Sequence, residues 1–305
     1  MTKDFLSIRD LSPETCTAWL DSAVELKALT RADRPHRPLE GRTLGMIFTK
    51  RSTRTRVSFE AGMYQLGGHP LFLSAQDIQM GQSESIADTA RVLSRFLDAI
   101  MIRAFAHSDV IELARHAEIP VINGLTDLLH PCQVMSDLLT WYEVHRSFDG
   151  VRITYIGDGN NMANSWINAA ALLPLRLTVA CPEGYEPDAD LLASARDVAT
   201  HPIEITSEVH DACRGADILY TDVWASMGRE DESEERRRRM KRFRIDQNAV
   251  DLASSECMVM HCLPAHRGEE ITDEVMDGPR SVVFEEAENR LHMQKAILVA
   301  LMSSG

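Results

Sequence analysis

The stretch RITYIGDGNNMANSWINAA, residues 152–170, decides how this chain is read. It opens as a strand, turns at Gly157-Asp158-Gly159, and becomes helical in period from Asn160 onward. A strand, a glycine turn and a helix in that order are the repeating unit of a parallel α/β sheet. The same turn raises the question of a dinucleotide site, whose fingerprint is G-x-G-x-x-G. Gly157 and Gly159 fit it, but Met162 stands where the third glycine belongs. A nicotinamide cofactor is therefore disfavoured. Asn160 and Asn161, at the helix start, are read either as helix caps or as amides presented to a small polar ligand.

The alternation continues on both sides of this stretch. After it come a strand at 175–181, a helix at 189–199, a strand at 202–206, a helix near 208–214, strands at 217–223 and 258–264, and one long helix in AENRLHMQKAILVALM (287–302). Before it, Ser12-Pro13 starts an amphipathic helix that reaches Leu29, followed by a strand at 44–48, a helix after Ser52, and the strand PLFLS at 70–74. A helix at 85–99, the strand IMIRAF (100–105), a helix near 109–117, the strand PVINGL (120–125) and a helix at about 132–145 complete the series. RSFDG, 146–150, reads as a linker. The expected architecture is α/β, with two doubly wound parallel-sheet domains and a substrate cleft between them, dividing at 147/148.

Bulk composition narrows the partners. A chain of 305 residues suits two domains of about 150 residues. Its 32 basic and 46 acidic residues leave a net charge of −14, which argues against a general nucleic-acid or acidic-membrane partner. No apolar run is long enough to span a bilayer, and the N-terminal residues lack a signal-peptide core. The six cysteines are scattered, with no C-x-x-C pair, and are read as reduced thiols of a cytoplasmic protein. The run EDESEERRRRMKR (230–242) pairs Glu234 with Arg238 and Glu235 with Arg239 at helical spacing, and is read as a solvated helix face.

Against that acidic background, FTKRSTRTRVSFE (48–60) is conspicuous. It gathers Lys50, Arg51, Arg54 and Arg56 around the hydroxyls of Ser52, Thr53 and Thr55, with Ser52 as the expected N-cap of the following helix. Unpaired backbone N–H groups and the positive end of a helix dipole converge at such a start, so the crowding favours an anion site. Arg54 and Arg56 cannot both face one ligand, so one of them is expected to be structural. His130, in LLHPCQVMSD (128–137), sits at a strand-to-helix junction where it could donate to a developing oxyanion. Metal binding there is not expected, since no second ligand lies three or four residues away. DVWASMG (222–228) and MVMHCLP (258–264) place Asp222, His261 and Cys262 at strand ends, where open α/β sheets bind ligands. A nucleophilic cysteine is conceivable there.

Taken together, STRTR (52–56), HPCQ (130–133), GDGNN (157–161), DVWASMG (222–228), HCLP (261–264) and AENR (287–290) resemble the transcarbamylase family, in its ornithine branch, over nearly the whole chain. The resemblance implies two α/β domains, with the C-terminal helix (287–305) packed on the N-terminal, carbamoyl phosphate-binding half (1–147), and with 148–286 binding ornithine. It further implies homotrimers or multiples of trimers, with no metal or other cofactor. The reaction implied is transfer of the carbamoyl group from carbamoyl phosphate to the δ-amine of L-ornithine, giving L-citrulline and phosphate; another amine, such as putrescine or aspartate, is the alternative acceptor.

The resemblance also assigns roles. Ser52, Thr53, Arg54, Thr55 and Arg103 would hold the phosphate, joined by Gln79 of DIQMG from a neighbouring subunit. His130 and Thr55 would bind the carbonyl oxygen. Pro131, Cys132, Gln133, the Cys262–Leu263 loop and Arg290 would surround the carbamoyl group. Asn161, Asp222, Ser226 and Met227 would bind ornithine. Arg54, Arg103, His130 and Cys262 are the implied catalytic residues.

Overall fold

The computed structural model describes residues 2–74, 78–224 and 233–303. The chain divides into two compact units, Met1–Leu139 with Glu288–Gly305, and Thr140–Ala287.

In the first unit, helix α1 (Pro13–Arg31) starts where Ser12 accepts from the Thr15 backbone N–H and Pro13 fills the first helical position, where no N–H is needed. Strands β1 (Thr43–Phe48), β2 (His69–Ser74), β3 (Ala99–Arg103) and β4 (Val121–Leu125) alternate with helices α2 (Arg54–Gln65), α3 (Ile86–Leu93) and α4 (His107–His116). All pairings are parallel, in the order β2-β1-β3-β4. Every residue of β3 is buried. Successive strand side chains point to opposite faces, so this sheet is covered on both. Ile47, Ile100, Ile102, Val110, Leu113 and Val121 form part of that core. Helix α5 (Pro131–His145) begins in this unit.

The second unit repeats the plan. Its strands are β5 (Arg152–Ile156), β6 (Arg176–Ala180), β7 (Ile203–Thr206), β8 (Ile218–Thr221) and β9 (Met258–His261), parallel in the order β7-β6-β5-β8-β9. Helices α6 (Asn161–Leu172), α7 (Ala189–Arg196), α8 (Val209–Cys213), α9 (Ser233–Met240) and α10 (Gln247–Leu252) connect them, and α11 (Asp273–Met276) follows β9. The last helix, α12 (Val283–Met302), belongs to the first unit from Glu288 onward. There Lys27 Nζ donates to Asn289 Oδ1 at 2.6 Å, and Lys295 Nζ donates to Thr30 Oγ1 at 2.8 Å. The C-terminal helix thus packs on the N-terminal half, as the resemblance implies. Among the described residues, no helix is long and apolar enough to cross a membrane.

Strand order locates the ligand sites. In each sheet the order reverses once, between β1 and β3 and between β5 and β8, and open α/β sheets bind ligands beyond the strand ends at such switch points. The basic stretch follows β1 and Arg103 ends β3; the glycine turn follows β5 and Asp222 follows β8.

Two local expectations need correction. The N-cap of α2 is Thr53, not Ser52; it has right-handed helical dihedrals and its side chain makes no capping bond. The hydroxyls here are not spent on the helix start. The run around α9 is also not solvated throughout. Glu235 and Arg239 form the expected pair at 3.0 Å, but Arg236 is 3% exposed.

Candidate active site

A first cluster is built at the switch point of the first sheet. Thr55, on the first turn of α2, is fully buried. Its Oγ1 accepts from Arg290 Nη2 at 2.7 Å and from Arg103 Nη1 at 3.3 Å. A hydroxyl oxygen has two acceptor lone pairs, so both are engaged, and its own O–H is left to donate to a third group. Arg290 Nη1 also donates to Gln133 Oε1 at 2.6 Å, and Gln133 Nε2 donates to Asp137 Oδ1 at 2.8 Å. Thr55, Arg103, Gln133 and Arg290, carried by α2, β3, α5 and α12, therefore form one connected network.

His130 lies at the mouth of α5, 4% exposed. Burial, reinforced by the charges of Arg290, Arg103 and Arg54, holds its pKa well below the ordinary histidine range, so the ring is neutral and carries a single N–H. Positive charge in this cluster comes from the arginines. Arg54 contributes a buried Nε with no hydrogen-bond partner, a donor that a bound anion would satisfy. Lys50 adds charge from beneath, its ammonium 3.9 Å from the Phe105 ring centre, and burial followed by the nearby Arg103 lowers its pKa. Arg56 is the structural arginine: Nε donates to Glu60 Oε1 at 2.9 Å and the guanidinium stacks over Phe72.

Ser52 is half-buried and Thr53 exposed beside this cluster, and Pro131 opens α5. Cys132 is no nucleophile, since its thiol donates to the Asn123 carbonyl and burial pushes its pKa up to about 12. Gln79 lies on an exposed turn, its Oε1 accepting from the Ser83 hydroxyl at 3.1 Å.

A second cluster occupies the switch point of the second sheet. Asp222 follows β8 directly and is 8% exposed. Its Oδ1 accepts from the Val223 N–H at 2.8 Å and from the Cys262 thiol at 3.0 Å; its Oδ2 accepts from Asn160 Nδ2 at 2.8 Å. Cys262 is therefore a hydrogen-bond donor here. Of the two readings of Asn160 the structure keeps the cap: Oδ1 accepts from the Met162 and Ala163 N–H groups, while Nδ2 donates to the Asp222 carboxylate rather than facing a ligand. Tyr155 also donates to that Oδ1 at 3.1 Å; burial and the Asp222 and Asp158 charges keep its pKa well above the usual phenol range. Asn161 is the first residue of α6. Ser226 and Met227 lie outside the described residues. The two glycines answer local geometry: Gly157 has φ +139°, and a Cβ on Gly159 would stand 2.2 Å from Pro187 N.

The Cys262–Leu263 loop is held from below. His261 Nδ1 accepts from the Leu263 N–H at 2.9 Å, Nε2 pairs with Glu270 Oε1 at 3.0 Å, and the His261 N–H donates to Glu286 Oε2 at 2.8 Å. With Nδ1 an acceptor, Nε2 carries the proton. Asp222, His261 and Cys262 present ligand-type atoms within 4.8 Å of one another, yet both imidazole nitrogens are already engaged, so the geometry does not offer His261 to a metal. Sequence reasoning missed Glu270, Glu286, Asp158 and Arg236, which touch the site only through other residues. The one available signal was Met240, four residues after Arg236, marking the inward face of α9.

Comparison with known proteins agrees with this arrangement. Residues 3–143 match the family model "Aspartate/ornithine carbamoyltransferase, carbamoyl-P binding domain", and 149–301 match its "Asp/Orn binding domain". The chain is 54% identical to the ornithine carbamoyltransferase of Syntrophus aciditrophicus over 302 residues, 99% of this chain and 100% of the relative. It is 51% identical to that of Methanoculleus marisnigri, over 100% of this chain and 98% of the relative. The solved structure of ornithine carbamoyltransferase from Pyrococcus furiosus superposes with a TM-score of 0.96 at 49% identity, covering 99% of this chain and 98% of that one. With both halves matched and both switch points furnished, the chain belongs to the aspartate/ornithine carbamoyltransferase family.

Proposed function

We propose that this protein transfers the carbamoyl group of carbamoyl phosphate to the δ-amine of L-ornithine, giving L-citrulline and phosphate in arginine metabolism. The observation that carries the reading is the double guanidinium contact on Thr55 beside a neutral His130. Ser52, Thr53, Arg54, Thr55 and Arg103 hold the phosphate dianion at the start of α2, where guanidinium charge and backbone N–H groups converge. The carbonyl oxygen takes the Thr55 O–H and the His130 N–H. Gln133 and Arg290 hold the carbamoyl amide.

On the acceptor side, Asp222 pairs with the α-ammonium of ornithine, and Asn161 binds its carboxylate with Ser226 and Met227. The neutral δ-amine attacks the carbonyl carbon. A C–N bond forms, negative charge collects on the carbonyl oxygen, and collapse breaks the C–O bond while the proton lost by the amine passes to the departing phosphate. Donors fixed before reaction stabilise that oxyanion without reorganising, and binding both reactants supplies the positioning. An amine with a solution pKa of about 10.4 must first be deprotonated, so the site has to favour its neutral form.

We place Gln79 in the active site of an adjacent copy within a homotrimer or a multiple of trimers, which its exposed turn permits. A cytoplasmic location is supported by six cysteines that are all unpaired. The test is citrulline-type product formation from carbamoyl phosphate with ornithine, putrescine and aspartate as competing acceptors. Ornithine should win by a wide margin, and equal use of putrescine would reject the assignment of the acceptor.

A further inference from the structure

Arg236 is a charged residue buried in a helix whose sequence reads as solvent-facing. From α9 its guanidinium reaches three segments, each lying beyond the end of a different strand. Its Nη2 is paired with Asp158, in the glycine turn after β5. Nε donates to the Trp224 carbonyl, two residues past Asp222 at the end of β8. The plane lies 4.8 Å from the Tyr185 ring centre, in the segment after β6. Those segments are themselves linked, since the Gly159 N–H donates to the Tyr185 carbonyl at 2.8 Å and the Asn160 N–H to the Asp158 carbonyl at 2.7 Å. Trp224 in turn donates from Nε1 to the Phe243 carbonyl at 3.2 Å, beyond the end of α9.

We infer that Arg236 is a positioning residue for the amino-acid acceptor: it locks the Asp158 turn to the Trp224 backbone and so sets the separation of the Asn160–Asn161 amides from the Asp222 carboxylate. The inference rests on the acceptor assignment above. A planar fork with donors in fixed directions can satisfy a carboxylate and a carbonyl at once, whereas an ammonium is a point charge. Burying that charge is expensive unless it is paired on several sides, and here it meets Asp158, a carbonyl and a ring face. Arg236 touches neither substrate in this scheme; it acts through Asp158 and Trp224.

The test measures citrulline formation with ornithine and carbamoyl phosphate each varied in turn, for the wild type, Arg236→Lys, Arg236→Met and Asp158→Asn. Loss of one charge-assisted contact in the frame should raise the ornithine KM at least about tenfold in Arg236→Met and Asp158→Asn. The carbamoyl phosphate KM should stay near wild type, and millimolar guanidinium should lower the raised ornithine KM of Arg236→Met. Arg236→Lys, which keeps the buried charge and hence the fold, should show a smaller rise of the same kind. Equal rises in both KM values, or a fall in kcat alone, would show a merely structural arginine and overturn the inference. If Arg236→Met does not fold, an unchanged ornithine KM in Arg236→Lys and Asp158→Asn overturns it as well. Failure of the wild type to make citrulline would instead refute the proposed function, and this inference with it.

Discussion

Replacing Thr55 by valine keeps the shape of a fully buried side chain and removes one oxygen. That oxygen accepts from Arg290 at 2.7 Å and from Arg103 at 3.3 Å, so two buried guanidinium groups lose a partner in one step. The shorter contact is worth about 1.5–3 kcal/mol as a bond to a charged donor, and the longer one about 1 kcal/mol. Thr55→Val should therefore lower unfolding stability by about 3 kcal/mol, read as a drop in the urea midpoint at constant m. The catalytic effect should be larger than that loss of stability suggests, because in the proposed reaction the Thr55 hydroxyl donates to the carbonyl oxygen. Removing one oxyanion donor costs about a hundredfold to a thousandfold in kcat. Thr55→Ser, which restores the oxygen, should recover most of both effects. The measurement is steady-state citrulline production beside equilibrium unfolding for the three proteins. A folded Thr55→Val enzyme whose kcat stays within about tenfold of wild type, below the loss of one such donor, would refute the reasoning.

Further outcomes are expected. Arg54→Ala should abolish turnover while leaving the fold intact, since its buried Nε has no partner in the protein to lose; mixing it with an inactive Gln79→Ala variant should restore part of the activity if Gln79 serves an adjacent copy, and dead hybrids beside a recovering wild-type control reject that idea. Asp222→Asn should raise the ornithine KM about tenfold to a hundredfold, the worth of one charge-assisted contact, with carbamoyl phosphate hardly affected. His292 has its pKa lowered from 6.5 to about 4 by burial and then by Lys295 and Lys27. The unfolded chain therefore binds this proton first, and stability should fall as pH drops from about 6.5 to about 4 and then level off. His130 acts in the same direction. Denaturation of His292→Gln across that range should show a shallower acid limb; an unchanged limb would mean that other groups set it.

The elements were legible because their signals are local. IMIR is apolar enough to demand burial on both faces, and Ser12-Pro13 marks a helix start that the structure keeps. Strand order was not legible, since pairing β1 with β3 or β5 with β8 depends on contacts far apart in sequence, and strand order is what makes switch points. The site residues carried a local signal where a residue type was costly for its position, as with Arg103 at the end of a buried strand or His130 before a proline. Thr53 stands at the cap in place of Ser52, in a hydroxyl-rich stretch that offers several equivalent starts to a reading by sequence. Arg236 was hidden for a different reason. Four consecutive arginines look alike in sequence, and only the rotation of α9 decides which one turns inward.

The pairing of Arg290 with Thr55 has a consequence for how the molecule is made. Thr55 lies near the beginning of the chain and Arg290 near its end, with the whole of Thr140–Ala287 between them. A ribosome emits the chain from its N-terminus and domains generally fold as units as they emerge. The contiguous unit can therefore close first, while the earlier-synthesised one waits for α12. Until the turn of α12 that carries Asn289 and Arg290 has emerged and docked, the guanidinium beside Thr55 is missing, Lys27 has no Asn289 to meet, and the anion cluster is incomplete.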